Sequence, residues 1–210
     1  MERHLTVAIL AVLLGAQTPA TKVSYFPPDT LDETAVSSRS REQWYSEHLR
    51  ALKESSLWDS SKNQKLQSYR FLWLRTFDHP ISVRLDVQQD GTSLLTRKIT
   101  NGQGGYKPGK LVVNKSRKLT KDQTAWFLER VEEVGFWKLA SVEKAYEIGP
   151  NGEKLELIGV DGAEWIVEGV KDGKYHVVDR WSPEKGPVRI LGIVMLVDLA
   201  KLKLLFTEVY

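Results

Sequence analysis

The sequence predicts an α+β fold: a mostly antiparallel sheet with helices packed on it, in the order α-ββββ-α-βββ-α. Three observations predict it. Ile81, Val83, Leu85 and Val87 alternate with Ser82, Arg84, Asp86 and Gln88, which is the period of a half-buried strand. The tight turn signals "QDG", "PNG", "VDG" and "KDG" separate strand-like runs by so few residues that the neighbours must be antiparallel. Two stretches that open on Ser or Thr caps, and one apolar closing stretch, carry helical spacing instead.

Taken in order, Ser40 stands three residues before Gln43, a capping box, and Trp44, His48, Ala51 and Leu52 follow at helical spacing. A helix is expected over 41–54, and the polar run "DSSKNQKLQ" after it reads as a loop. "YRFLWLRTF" is aromatic and β-favouring from Ser68 onward, and it stops at "DHP", where Pro80 biases His79 toward extended backbone. A three-residue loop, Gln89-Asp90-Gly91, then sets Leu85 opposite Leu95 and Ile81 opposite Ile99, with Gly91 in the left-handed bulge position.

"NGQGGYKPGK" is glycine-rich but lacks the Gly-Lys-Ser/Thr ending of a phosphate loop, and no helical pattern follows it, so it reads as a connecting loop. "KLVVNKSRKL" is a further strand. Its basic run, Lys110, Lys115, Arg117, Lys118 and Lys121, suits either contact with an anionic polymer or a solvated edge strand guarded by lysines. Thr120 and Gln123 cap a helix over about 121–134 with Phe127, Val131 and Val134 on its buried stripe, and Gly135 is placed to end it left-handed. Three strands follow over 153–160, 163–170 and 174–181. The closing stretch from Pro187 is apolar nearly all round, and the charges Arg189, Asp198 and Lys201 argue for a helix packed on a sheet rather than a membrane span.

The chain has 210 residues, 41% hydrophobic and 27% charged, with seven Trp and no Cys. No disulfide, thiolate metal site or cysteine nucleophile is available. Arg3, the apolar run Leu5 to Ala16 and the small residues Thr18 and Ala20 have the layout of a secretory signal with cleavage near Ala20, with an uncleaved anchor as the lesser alternative because the start is only weakly basic. The expected organisation is a signal peptide over 1–20, a flexible leader over 21–39 and one α+β domain over 40–210. Removing 1–20 deletes one Arg and one Glu, so the net charge stays at +3, too small to argue for nucleic acid. The mature chain is expected to be periplasmic or secreted, with no stable transmembrane span.

The densest chemistry lies in "DGKYHVVDRWSP", 172–183. A three-residue loop Lys171-Asp172-Gly173 would set Val167 against Val177 and Gly169 against Tyr175. It would also set Glu164 against Arg180 and Glu168 against His176, two opposite-charge pairs. A two-residue loop would oppose Lys171 to Lys174 and Glu164 to Trp181 instead. Under the first register His176, Glu168 and Arg180 share a polar face, a cross-strand network or the candidate catalytic cluster. Trp165, Tyr175, Asp179 and Trp181 share the other face, a candidate binding platform. An Asp179 covered by a helix would need an Arg or indole N–H donor. In either register His176 and Asp179 point to opposite faces.

No HExxH, close His pair or GxSxG occurs, so neither a metal nor a serine nucleophile elbow is indicated, and no cofactor is expected. "WYSEHLRALKESSLW", "YRFLWLRTFDHPISVRL" and "AEWIVEGVKDGKYHVVDRWSP" together resemble an uncharacterised family of bacterial exported proteins over about residues 42–205. Its most specific piece is Trp165, Glu168, Gly169, Gly173, Tyr175, His176, Arg180 and Trp181. The resemblance implies export and leaves the activity open. Three expectations remain open: a binding domain for an envelope polymer or periplasmic protein, a hydrolase-like enzyme using His176, Glu168 and Arg180, or a purely structural envelope protein.

Overall fold

A computed structural model describes residues 24–31, 40–143, 146–156, 161–204 and 209–210. The elements are helices α1 (Arg41–Ala51) and α2 (Leu57–Ser60), then strands β1 (Ser68–Arg75), β2 (Ile81–Val87), β3 (Ser93–Thr100) and β4 (Leu111–Leu119). Helix α3 (Lys121–Glu133) and a 3-10 turn, Phe136–Lys138, come next. Strands β5 (Tyr146–Ile148), β6 (Lys154–Glu156), β7 (Ala163–Lys171) and β8 (Lys174–Trp181) precede helix α4 (Pro187–Ile193), which continues as a π-helical stretch, Val194–Leu199. The class is α+β, as expected.

Six strands form one antiparallel sheet in the order β4-β3-β2-β1-β7-β8, while β5 and β6 pair separately. The strand expected at 153–160 is therefore outside the main sheet in its described part, and residues 157–160 lie outside the described residues. The lysine-rich β4 is an edge strand. Its Lys115 and Lys118 are exposed, and an outward lysine opposes pairing with another chain.

Both faces of the sheet are covered, which follows from β1 being buried at every position. On one face α3, α4 and the π-helical stretch pack Phe127, Val131, Leu191, Met195 and Leu196 over Tyr69, Phe71, Trp73, Val83, Leu85, Trp165 and Val167. Gly192 is needed there because a Cβ would lie 2.4 Å from Trp165 Cζ3. On the other face α1 sets Tyr45, Leu49 and Leu52 over Leu72, Leu74, Ile166 and Val177. Residues 24–31 belong to this layer rather than to a free leader. Tyr25, Phe26 and Leu31 are buried in it, and the Tyr25 hydroxyl donates to the Glu54 carbonyl at 2.9 Å. Two large aromatics next to a rigid Pro pair bring enough apolar surface to dock on the flank of α1.

The helix caps form as read. Ser40 Oγ accepts from the Gln43 amide, the Thr120–Gln123 capping box is complete, and Gly135 is left-handed at φ 65. The β2–β3 register is the expected one, Ile81 against Ile99 and Leu85 against Leu95, with Gly91 at φ 80. Asp90 locks that turn: its Oδ1 accepts from the Thr92 hydroxyl at 2.5 Å and amide at 2.9 Å, which hold the carboxyl down at about 2. The glycine-rich loop is tied to α1, since the Trp44 indole donates to the Gly104 carbonyl at 2.9 Å.

The β7–β8 register corrects the expectation. Lys171 pairs with Lys174, so the loop has two residues, Asp172 and Gly173, at φ 52 and 74. Both central residues are left-handed, the type I′ geometry whose twist matches a hairpin. Val167 then opposes Val178, Glu168 opposes Val177, and Glu164 opposes Trp181. Two cross-strand charge pairs, each worth about 0.2–1 kcal/mol, are forgone. In this register Val178 enters the α4-side core and Val177 the α1-side core, and Asp179 turns to the α1 side, where Arg41 and Tyr45 donate to it. A one-residue slip would reverse both faces of β8 at once.

Candidate functional site

This register redistributes the candidate residues. His176 and Arg180 share the α4-side face with Trp165, whereas Glu168, Tyr175, Asp179 and Trp181 share the α1-side face. The proposed cluster of His176, Glu168 and Arg180 is therefore split across the sheet. The proposed platform is also dispersed. Trp165 is sealed in the core between Phe71 and Trp73, Asp179 is buried, and Trp181 is exposed at the far end of β8 from Tyr175. His176 and Asp179 do point to opposite faces, as parity requires.

Glu168 is the centre of a buried charge network. Arg70 Nε donates to its Oε2 at 2.7 Å, Arg70 NH2 lies 2.6 Å from the same oxygen, and the Tyr175 hydroxyl donates to Oε1 at 2.9 Å. Arg70 also approaches Glu54 at 3.5 Å, and Glu54 is shared with Arg84 at 2.8 Å and Lys98 at 2.9 Å. Burial pushes both carboxyls up. For Glu54 the three cations outweigh it and the net shift is down; for Glu168 the net shift is up. Every charge here has a structural partner, so the network holds the α1–α2 connection on the sheet.

Asp179 meets the requirement set by its burial. Its Oδ2 accepts from Arg41 NH1 at 3.0 Å and from the Tyr45 hydroxyl at 2.9 Å, both on α1. Glu164, from the neighbouring strand, lies close to it, and burial raises both carboxyls above the ordinary carboxylate range. Arg180 turns outward to the Ala140 carbonyl at 3.0 Å and Glu143 at 3.0 Å. The segment at 140–142 thus closes the β8 edge, with Val142 bridged to Asp179.

The start of β8 is open. A cleft of about 520 Å³ is lined by Trp137, Lys171, Asp172, Lys174, Tyr175 and His176. Tyr175 and His176 face opposite sides, so the cleft wraps the strand edge rather than lying on a flat sheet face. The 3-10 turn after Gly135 delivers Trp137, whose ring centroid is 6.2 Å from His176; Phe136 lies edge-on to His176 at 5.1 Å. Burial lowers the His176 pKa, so the imidazole is neutral at neutral pH. Lys171 and Lys174 add positive charge at the rim. Aromatic walls with a few polar groups are the usual makeup of a ligand cleft.

Sequence reasoning found Tyr175 and His176 but missed Trp137, Lys171 and Lys174. The signal available was the left-handed Gly135, which turns the chain back toward the sheet just before Trp137. Among the described residues, no cluster of three or more His, Asp or Glu side chains could hold a metal. No helix among them is long and apolar enough to cross a membrane. Compared with known proteins, the chain matches no family model, no curated protein and no solved structure.

Proposed function

We propose that this protein is an exported, non-enzymatic binding domain whose ligand seats in the Trp137–His176 cleft. The carrying observation is the cleft itself: two aromatic walls, a neutral imidazole and two lysines around about 520 Å³, beside a sheet whose buried Arg70, Glu54, Glu168 and Asp179 are engaged internally. Export is supported by the N-terminal pattern of residues 1–20 and the absence of Cys. The ligand side is supported by the lysines, which suit a partner rich in oxygen acceptors such as an envelope polymer.

The test is retention of the purified protein on immobilised envelope polysaccharides, with His176→Ala and Lys174→Ala as the paired variants. Loss of retention in both, with thermal midpoints near that of the parent, supports the cleft. Unchanged retention in both overturns it. Export is tested by sequencing the N-terminus of protein recovered from the periplasm. A chain beginning at Thr21 supports it, and an intact Met1 in the cytosolic fraction refutes it.

A further inference from the structure

On the far side of Lys171 from the cleft lies a second depression, of about 690 Å³, lined by Gln67, Asp122, Trp126, Glu129, Glu132 and Lys171. Lys171 belongs to both. Trp126 is the most exposed Trp after Trp181, at 38% against 43%. On this shared wall Lys171 Nζ lies 3.5 Å from Glu132 Oε1, between side chains that are 41% and 63% exposed. An exposed ion pair of this length contributes little stability, so it parts readily. Opening it joins the depressions into one groove running from Trp126 on α3, past Lys171, to Trp137 and His176.

The charges along this groove change sign. The α3 end carries Asp122, Glu129 and Glu132; the β8 end carries Lys171, Lys174 and a neutral His176, with Asp172 at the turn. A polyanion would be repelled at the α3 end and a polycation at the β8 end. A chain of neutral hydroxyl groups suits both ends, because each hydroxyl donates to a carboxylate and accepts from an ammonium. Tryptophans at the two ends provide stacking surface for apolar sugar faces. We infer that the groove from Trp126 to Trp137 binds a neutral glycan chain over more than one sugar unit.

This inference rests on the cleft reading above, and length dependence separates the two. The probes are neutral α- and β-linked gluco-oligosaccharides and N-acetylglucosamine oligosaccharides, from disaccharide to hexasaccharide, titrated calorimetrically against the full mature chain. An oligogalacturonate series is the acidic comparator. Affinity is expected to rise with length for a neutral series and to exceed that for the acidic one. Trp126→Ala should remove about tenfold of the hexasaccharide affinity, the size one stacked ring supplies, while leaving the disaccharide unchanged.

Trp126 is exposed on α3, so this variant keeps its fold; Lys171→Ala, which removes the shared residue, provides a second reading of the same loss. Equal affinity for short and long oligomers, or no effect of Trp126→Ala on the longest, overturns the extended groove and leaves the cleft reading standing. Tighter binding of the acidic series overturns the assignment to neutral glycans. Failure of every oligosaccharide to bind overturns the glycan inference, and the cleft reading falls only if the polymer retention above is also insensitive to His176→Ala and Lys174→Ala.

Discussion

Replacing Arg70 by Leu should be the most damaging single change in the sheet, and its size follows from the network. The Arg70 side chain and the Glu54 and Glu168 carboxylates are all 0% exposed. Without Arg70, Glu54 keeps Arg84 and Lys98, but Glu168 keeps only the Tyr175 hydroxyl. The loss is therefore that of one buried carboxylate stripped of its charge partner, about 3–5 kcal/mol. For a chain of this size that corresponds to a fall of roughly 6–20 °C in the thermal midpoint.

The assay is thermal and urea unfolding followed by tryptophan fluorescence. The unpaired Glu168 in the variant has its folded-state pKa raised by burial, so its contribution to stability is full below the ordinary carboxylate range, near pH 4.3, and is lost as pH rises. The gap to the parent should accordingly be larger at neutral pH than at mildly acid pH. Adding Glu168→Gln to Arg70→Leu removes the stranded charge and should recover part of the loss. A cost under about 1 kcal/mol, or strict additivity in the double variant, would refute the claim that this pair is what holds the network.

Other outcomes follow from the same geometry. Glu164→Gln removes one of two neighbouring buried carboxyls. Because burial raises both carboxyls, the parent loses stability as pH climbs above the ordinary carboxylate range, and the variant should show a flatter midpoint-against-pH curve; an unchanged slope counts against the raised pair. Gly192→Ala would place a methyl 2.4 Å from Trp165 Cζ3 and 3.0 Å from Phe71 Cζ, and should cost about 1–3 kcal/mol in urea unfolding. Gly173→Ala should cost about 1–2 kcal/mol, because φ is 74 there, whereas Asp172→Asn should be near neutral; equal tolerance of both would contradict the type I′ turn.

Local rules were enough wherever the deciding interaction lies within a few residues. The caps at Ser40 and Thr120, the left-handed Gly135, the β2–β3 register and the lysine-guarded edge strand could all be read from neighbours in sequence. The two Asp-Gly turns show where that stops. In Asp90-Gly91-Thr92 the threonine returns two hydrogen bonds to Asp90 and stabilises the longer loop. Asp172-Gly173 is followed by a lysine, and the shorter loop forms. Counting charge pairs across the β7–β8 hairpin chose the wrong register, because each pair is worth less than placing buried Asp179 on the face where Arg41 and Tyr45 donate to it.

The sequence by itself determined the class, the element order apart from α2 and β5, and the parity that keeps His176 and Asp179 apart, since these depend on periods of two and 3.6 residues along the chain. Tertiary structure alone decided which face each residue meets. Asp179 is satisfied by Arg41 and Tyr45, which lie 138 and 134 residues away, and Glu168 by Arg70, 98 residues away. Those partners pull the acidic residues of the hairpin inward and leave Trp137, Lys171, Lys174 and His176 around the open cleft. The reason is energetic: an unpaired charge in the core costs several kcal/mol, so the register follows the distant donors rather than the local pairs.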